Sequence, residues 1–423
     1  MQSLPAARLR KAQIASLLVF ILMGHSALSS VAWVPEFIDR LDVSFVTWGT
    51  IIGFGVIGSI TPLLFASRLI MRFGARPIIR FANYGGMFFL ISLGWFNDPA
   101  IWMIFNIFFN FFMSLLGVSV NSAAVLLQKQ VPKNIMGRMH AGWSLGAVLA
   151  AISGAFATVF ISLELFLLLV AVVTILLFEF CLRWLLSPEE DGHIEEKAAS
   201  VRRKFYQMPS QLWLLAFGLF AAVYPEVAVI DWAAVFARDV LNAELALRSI
   251  PFGVFMVGMI IGRLSMTRLA EQMHPHTLAS RGALLAAVSL ALAALFAAPV
   301  ADTNPTFGLI FGSLLWGLAG LGLAPASPAF FSAGGHVPGV STAWAVSRLS
   351  LFNSCVAIFA KAFMGALVEG VGLANAFFFP VILALTAAVI AEQFAKQASK
   401  RDLENAVPPT GPISIIPSPE DAR

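Results

Sequence analysis

Twelve apolar runs, each close to the ~20 residues a helix needs to cross a bilayer, follow one another along the chain with only short polar breaks between them. They lie near 14–34, 45–66, 78–96, 101–127, 140–160 and 165–186, and again near 211–232, 249–267, 279–298, 306–330, 341–368 and 374–396. Runs of this length satisfy their backbone hydrogen bonds within the segment, which hydrocarbon demands. With 59% hydrophobic and only 12% charged residues the chain has more apolar surface than a soluble core could hide, so it reads as an all-α integral membrane protein. The basic residues Arg8, Arg10 and Lys11 before the first run imitate a secretory leader, but the run is longer than a leader's apolar core and many more follow, so it is expected to stay as the first helix.

The densest charge in the sequence, Ser187 to Gln211 (SPEEDGHIEEKAASVRRKFYQMPSQ), splits the runs six and six. The expected organisation is an N-terminal segment over 1–13, a six-helix bundle over 14–186, a charged linker over 187–210, a second six-helix bundle over 211–396 and a disordered Pro-rich tail over 397–423. An even number of spans puts both termini on one side. Assigning the termini and linker to the cytoplasm leaves only Arg40, Arg238, Arg248 and Lys361 of the 27 Lys and Arg facing outwards, as the positive-inside rule requires. The halves also echo each other: Arg68-Leu69 and Arg72-Phe73-Gly74 after the second run against Gly262-Arg263-Leu264 and Arg268-Leu269 after the eighth, and Val131-Pro132 against Val337-Pro338. Two six-span repeats explain these matches.

Other classes find little support. Cys181 and Cys355 stand alone in apolar runs, His274 and His276 lack a supporting carboxylate or thiolate, so no metal or cofactor is expected, and there is no phosphate-binding GxxxxGK[ST] loop. Nothing points to nucleic acid. An intramembrane enzyme acting on lipids would need a clustered nucleophile, acid and base, and none is visible; a non-transporting receptor or scaffold remains open.

Polar residues inside membrane helices are costly and so locate water or solute. In the fourth run Asn106, Asn110, Ser114, Gly117, Asn121 and Gln128 share an arc of about 80°, either a cavity wall or a helix-to-helix hydrogen-bonding face. His25 and Ser29 with Glu36 and Trp33 make a second such face in the first run. His25 either shuttles protons or bonds a neighbouring helix, and Glu36 is either a proton carrier or a solvated loop charge. In the seventh run Asp231 shares a face with Trp213, Phe220 and Tyr224, while Glu226 points the other way; Asp231 either couples protons to solute or pairs with Arg238 at the helix end. Lys361, the odd cation in the outward half of the eleventh run, either snorkels, pairs with Asp231 or Glu369, or holds an anionic group. Trp316 joins the cavity candidates. Arg138 and His140 open a small-residue helix suited to close packing or an inner gate, and Gly317, Gly320, Gly322, Pro325 and Pro328 predict bent helices.

The arrangement resembles the major facilitator superfamily of secondary transporters over almost the whole chain. The family's loop signature GxLxDRxGRR is matched by Arg72, Gly74 and Arg76, with Arg68 beside them; Ser67 and Met71 stand where it has its first Gly and its acid. Trp33 to Pro35 leading into FIDRLDVS, Asn121, the Gly137–Ala141 stretch, Ser144-Leu145-Gly146 and Glu226 to Asp231-Trp232 narrow the resemblance to the MosC and YbjJ-like branch, although Val227 replaces a Gly and Ala360-Lys361-Ala362 a Gly-Pro-Pro of that branch. The resemblance implies the major facilitator fold, alternating access in the bacterial inner membrane, and a small solute such as a rhizopine, a sugar or cyclitol-type compound, or an exported metabolite; proton coupling is the expectation that rests on Asp231, Glu36 and His25, and twelve spans suffice for a monomer.

Overall fold

The computed structural model describes residues 4–131, 135–187, 190, 208–269, 272–337, 340 and 342–406. Pro132, Pro338, linker residues 191–207 and the tail beyond 406 lie outside the described residues. Twelve helical spans are present among the described residues. Span 1 runs Ala6–Leu28 and continues through the turn Val31–Trp33 into Val34–Leu41; spans 2 to 6 are Phe45–Leu63, Ala75–Trp95, Pro99–Lys129, Met136–Phe160 and Leu163–Leu182. Spans 7 to 9 are Ser210–Asp239, Ile250–Leu269 and Pro275–Thr303; span 10 is Pro305–Leu323 followed by Ala326–Gly335; spans 11 and 12 are Thr342–Val371 and Phe378–Ala406. Eleven of these are long and apolar enough to cross a membrane. Span 3 is the exception because its first turns carry Arg76 and Arg80, but it packs with spans 4 and 6 as a full member of the first bundle.

Local chemistry sets the ends. Ser44, Asp98, Ser162 and Asn304 accept backbone N–H groups at the starts of spans 2, 4, 6 and 10, and Pro99 and Pro305 sit in first turns, where their missing N–H costs nothing. Gly74, at φ 80°, turns the chain into span 3; a side chain there would be strained. Gln128, the last residue of the polar face of span 4, folds back so that its Oε1 accepts from the N–H groups of Ile135 and Met136 and caps span 5. The bend predicted by the Gly and Pro residues of span 10 is a break at Ala324-Pro325.

The two bundles repeat one packing scheme. Span 2 packs on 4, 3 on 4 and on 6, and 1 on 5; correspondingly 8 packs on 10, 9 on 10 and on 12, and 7 on 11. Between the bundles span 2 meets span 11 and span 5 meets span 8, the same contact made twice. Large side chains such as Phe156, Leu176 and Phe359 are 64–76% exposed, which suits a face covered by lipid.

We refer to the end where the chain starts at Ala6 as the terminal end and to the opposite end, where spans 1 and 2 join at Asp42, as the loop end. At the loop end the bundles are drawn together. Arg238 of span 7 donates to both carboxylate oxygens of Asp39 at 2.9 Å, and Glu369 of span 11 accepts from the Phe45 N–H at 3.0 Å. A methyl group on Gly49 would come within 2.7 Å of the Lys361 carbonyl and 2.9 Å of Gly365 Cα, so spans 2 and 11 touch backbone to backbone. Towards the terminal end the bundles part around a cavity of about 1070 Å³, lined by the short helix Ala66–Phe73 after span 2 and by span 4 on one side and by spans 10 and 11 on the other.

The linker is not wholly a free connector. At its start Glu190 accepts from Arg8 at 2.6 and 2.9 Å and from the Ser187 N–H at 2.9 Å, and Gln130 donates to its carbonyl at 2.7 Å. The Arg8 guanidinium holds the Glu190 carboxyl below its ordinary range.

Candidate functional site

Span 7 faces span 11 along one stripe. Trp213 stacks edge-on against Phe352, the Tyr224 hydroxyl donates to the Ala360 carbonyl at 2.7 Å, and Asp231 accepts from Lys361 at 2.8 and 2.9 Å. The shared face expected of Trp213, Tyr224 and Asp231 is thus the seam with span 11. The side chains of Asp231 and Lys361 are only 12% and 15% exposed. A carboxylate and an ammonium so placed need each other, because the desolvation of either alone would be uncompensated. Arg238, the other partner considered for Asp231, binds Asp39 and Asp239 instead.

The pair does not end in the second bundle. It lines a pocket of about 190 Å³ in the seam between the bundles, together with Asn106 and Asn110 of span 4, Trp48 of span 2 and Phe37 of span 1. The two amides are held in place: Asn110 Nδ2 donates to the Asn106 carbonyl at 2.8 Å and to Asn106 Oδ1 at 3.0 Å. A side chain on Gly55 of span 2 would strike both amides. One wall therefore offers neutral donors and acceptors, and the other a cation beside an anion.

The remaining candidates fall into separate places. Ser114 donates to the Ser59 carbonyl at 2.7 Å, so this part of the span 4 face binds helix to helix. Asn121 lines the large terminal-end cavity. His25 does not join the central pocket; it contacts Ser153 at 3.0 Å in an apolar groove on the lipid side of spans 1, 5 and 6. Ser29 is fully buried and donates back to the Ser26 carbonyl, while Trp33 packs on Phe166. Glu36 is exposed at the loop end. Trp316 is enclosed by Phe236 and Phe377 in the core of the second bundle rather than in a cavity. Helical phase alone brought these residues near the site. His25, Trp33 and Glu36 all face spans 5 and 6, before and after the break at Val31–Trp33, while Leu28, Val34 and Phe37 line the pocket.

Glu226 pairs with Arg263 of span 8 at 3.7 Å, and Arg263 donates to Ser144 Oγ of span 5 at 2.5 Å. Gly262, beside Arg263, has no room for a side chain against Ala324 and Leu321 of span 10. Among the loop residues, Arg68, Arg72 and Arg268 are exposed, Arg72 lying over the Phe73 ring. Arg76 donates to the carbonyls of Arg183 and Leu185, tying the start of span 3 to the end of span 6. Arg138 reaches Gln13 at 3.4 Å, and His140 packs edge-on to Phe20. Sequence reasoning missed Phe37, Trp48 and Trp102 as pocket walls. Aromatic residues in an apolar run carry no signal that separates a pocket wall from a lipid face.

The family model described as Major Facilitator Superfamily matches residues 134–345, half of the chain. An uncharacterized MFS-type transporter of Yersinia pestis is 23% identical over 381 residues, covering 90% of this chain and 94% of the relative. An uncharacterized transporter of Sinorhizobium fredii is 26% identical over 380 residues, covering 88% and 95%. Among solved structures, a bacterial homolog to the human lysosomal transporter Spinster, in an inward-facing and unoccupied conformation, matches with a TM-score of 0.68 at 15% identity over 96% of this chain and 100% of that one. The nucleoside transporter NupG matches with a TM-score of 0.65 at 16% identity over 92% and 99%. At these identities the likeness is one of fold.

Proposed function

This multi-pass membrane protein belongs to the Major Facilitator Superfamily and is a transporter of that type, not an enzyme, and from that premise we propose that it is a proton-coupled secondary transporter of a small, polar solute with no net charge. The observation that carries the reading is the Asp231–Lys361 pair facing Asn106 and Asn110 across the seam between the two bundles. A site in that seam can be uncovered from either end as the bundles rock. Its volume holds about six waters at ~30 Å³ each, which suits a compact solute. A bound ion would leave one member of the pair unmatched, whereas hydroxyl or amide groups can hydrogen-bond both. That preference, and the narrower sequence likeness to MosC and YbjJ-like proteins, favour a sugar or cyclitol.

Coupling follows from the pair. A proton on Asp231 removes its attraction for Lys361 and frees both groups to bind solute; loss of the proton restores the pair and expels the solute. The arrangement closed at the loop end and open at the terminal end corresponds to the cytoplasm-facing state when both termini are cytoplasmic, the orientation the distribution of Lys and Arg favours. The bacterial inner membrane is the corresponding location, and a single chain contains the whole pathway.

Uptake into proteoliposomes, driven by a pH gradient and screened over sugars, cyclitols, amino acids and organic cations, tests the reading. A neutral polyol is expected to accumulate. Asp231→Asn should abolish accumulation driven by the gradient but retain exchange of labelled for unlabelled solute. Accumulation by Asp231→Asn that still follows the gradient would overturn the coupling assignment.

A further inference from the structure

The outer surface of span 5 carries a feature that the transport cycle does not use. Ile152, Phe156 and Phe160, spaced four apart and 61%, 67% and 65% exposed, stand in one line as a ridge. A groove of about 670 Å³ runs along one flank against spans 1 and 6, and one of about 530 Å³ along the other against span 8; all three ridge residues border both. Both grooves are almost wholly apolar. From Leu149 to Ile161 the first groove descends some 18 Å at 1.5 Å per residue, about the depth of one leaflet of a ~30 Å hydrocarbon core.

At the loop end the first groove runs into a polar cleft of about 400 Å³, with Ile161 common to the two. The cleft contains two Arg and two Glu. Arg40 and Glu164 bind each other at 2.5 Å. Glu36 and Arg248 are left over: among the described residues neither makes an ion pair, and Arg248 makes one long Nε contact of 3.4 Å to the Ala243 carbonyl while its guanidinium feels the charges of Arg238, Asp239, Asp39 and Glu36 from further off. Thr158 and Ser162 add hydroxyl groups.

We propose that this face binds one diacyl phospholipid with a phosphate-and-ammonium headgroup, one acyl chain in each groove astride the Ile152–Phe156–Phe160 ridge, the phosphate on Arg248 and the ammonium on Glu36. The charges select the headgroup. A net-neutral cleft whose free groups are one cation and one carboxylate is satisfied by a net-neutral headgroup carrying both signs, whereas an anionic lipid leaves Glu36 facing its negative charge. An ammonium that can donate hydrogen bonds binds a carboxylate more strongly than a quaternary one. This proposal is independent of the solute carried.

Thermal unfolding of the delipidated full-length protein in detergent tests it, with phosphatidylethanolamine, phosphatidylcholine or phosphatidylglycerol added in mixed micelles. Lipid that binds the folded state raises its apparent stability with concentration. Phosphatidylethanolamine is expected to give a saturable rise at least tenfold lower in half-saturating concentration than phosphatidylglycerol. Glu36→Gln should remove that preference, Arg248→Gln should weaken the binding of both lipids through the phosphate they share, and Val173→Trp, which fills the first groove, should remove the rise. Equal response to the three lipids, or a preference that survives Glu36→Gln, overturns the proposal. Should the variants fail to fold, native mass spectrometry of the unaltered protein from an equal mixture of phosphatidylethanolamine and phosphatidylglycerol decides: selective retention of the former supports the site, and equal retention overturns it.

Discussion

Two of the acids of span 7, Glu226 and Asp231, stand five residues apart and are partnered in opposite ways. Asp231 binds Lys361 of span 11, inside its own bundle, at 2.8 Å. Glu226 lies 3.7 Å from Arg263 of span 8, and that Arg gives its shorter bond, 2.5 Å, to Ser144 of the other bundle. When the bundles rock as bodies, the first pair can travel intact while the second must let go of Ser144. A pair held within one bundle and a contact made across the seam therefore separate the group proposed to bind solute from the one proposed to respond to conformation.

The largest effect should come from breaking the pair that stays within one bundle. Asp231→Ala or Lys361→Ala alone leaves a buried charge without its partner, at a cost of about 3–5 kcal/mol, and thermal unfolding of the detergent-solubilised variants should register it. Asp231→Asn combined with Lys361→Met should recover most of that stability while transport stays absent. A double variant no more stable than either single one would show that the two side chains do not depend on each other.

Breaking the bond across the seam should do less to stability and more to conformation. Ser144→Ala removes one acceptor of a charged donor, a contribution of about 1.5–3 kcal/mol, but only in the conformation where spans 5 and 8 meet. The expected result is a population shift of roughly tenfold or more, since ~1.4 kcal/mol is a factor of ten. Distances between spin labels on the loop-end tips of the two bundles would report it. Asp231→Asn in the same assay, without solute, should leave the distribution near that of the unaltered protein. A shift with Asp231→Asn and none with Ser144→Ala would invert the comparison.

The fold was legible because bilayer-length runs, charge placement and repeated loop residues are properties of the chain read one segment at a time. The polar face of span 4 was legible for the same reason: Asn106, Asn110 and Asn121 all line cavities. What failed to show was which neighbour each face meets. His25 and Asn106 look alike as polar residues in apolar runs, yet one meets Ser153 beside the lipid and the other the central pocket. Trp316 resembles Trp48 in the same way, but only Trp48 borders the pocket. Rotation of a helix about its axis is set by packing with other spans. The pairing of Lys361 with Asp231 was one of three alternatives for the same reason.

The smallest effect lies at the terminal end, where Glu190 binds Arg8 outside the membrane and can be titrated directly. Because the guanidinium holds the folded-state carboxyl below its ordinary range, the contribution is fully present above the unfolded-state value of about 4.3. It is lost as pH falls through the lower, folded-state value. Both side chains are about a quarter exposed, so solvent screening limits the effect to about 1 kcal/mol or less. Thermal unfolding followed from pH 7 to 3 should show Glu190→Gln less stable than the unaltered protein at neutral pH, and the two converging at the acid end. A gap that stays constant across the range would assign the contribution to the hydrogen bond from the Ser187 N–H rather than to charge, and would make this contact unlike Asp231 or Glu226 of span 7, whose partners are charged.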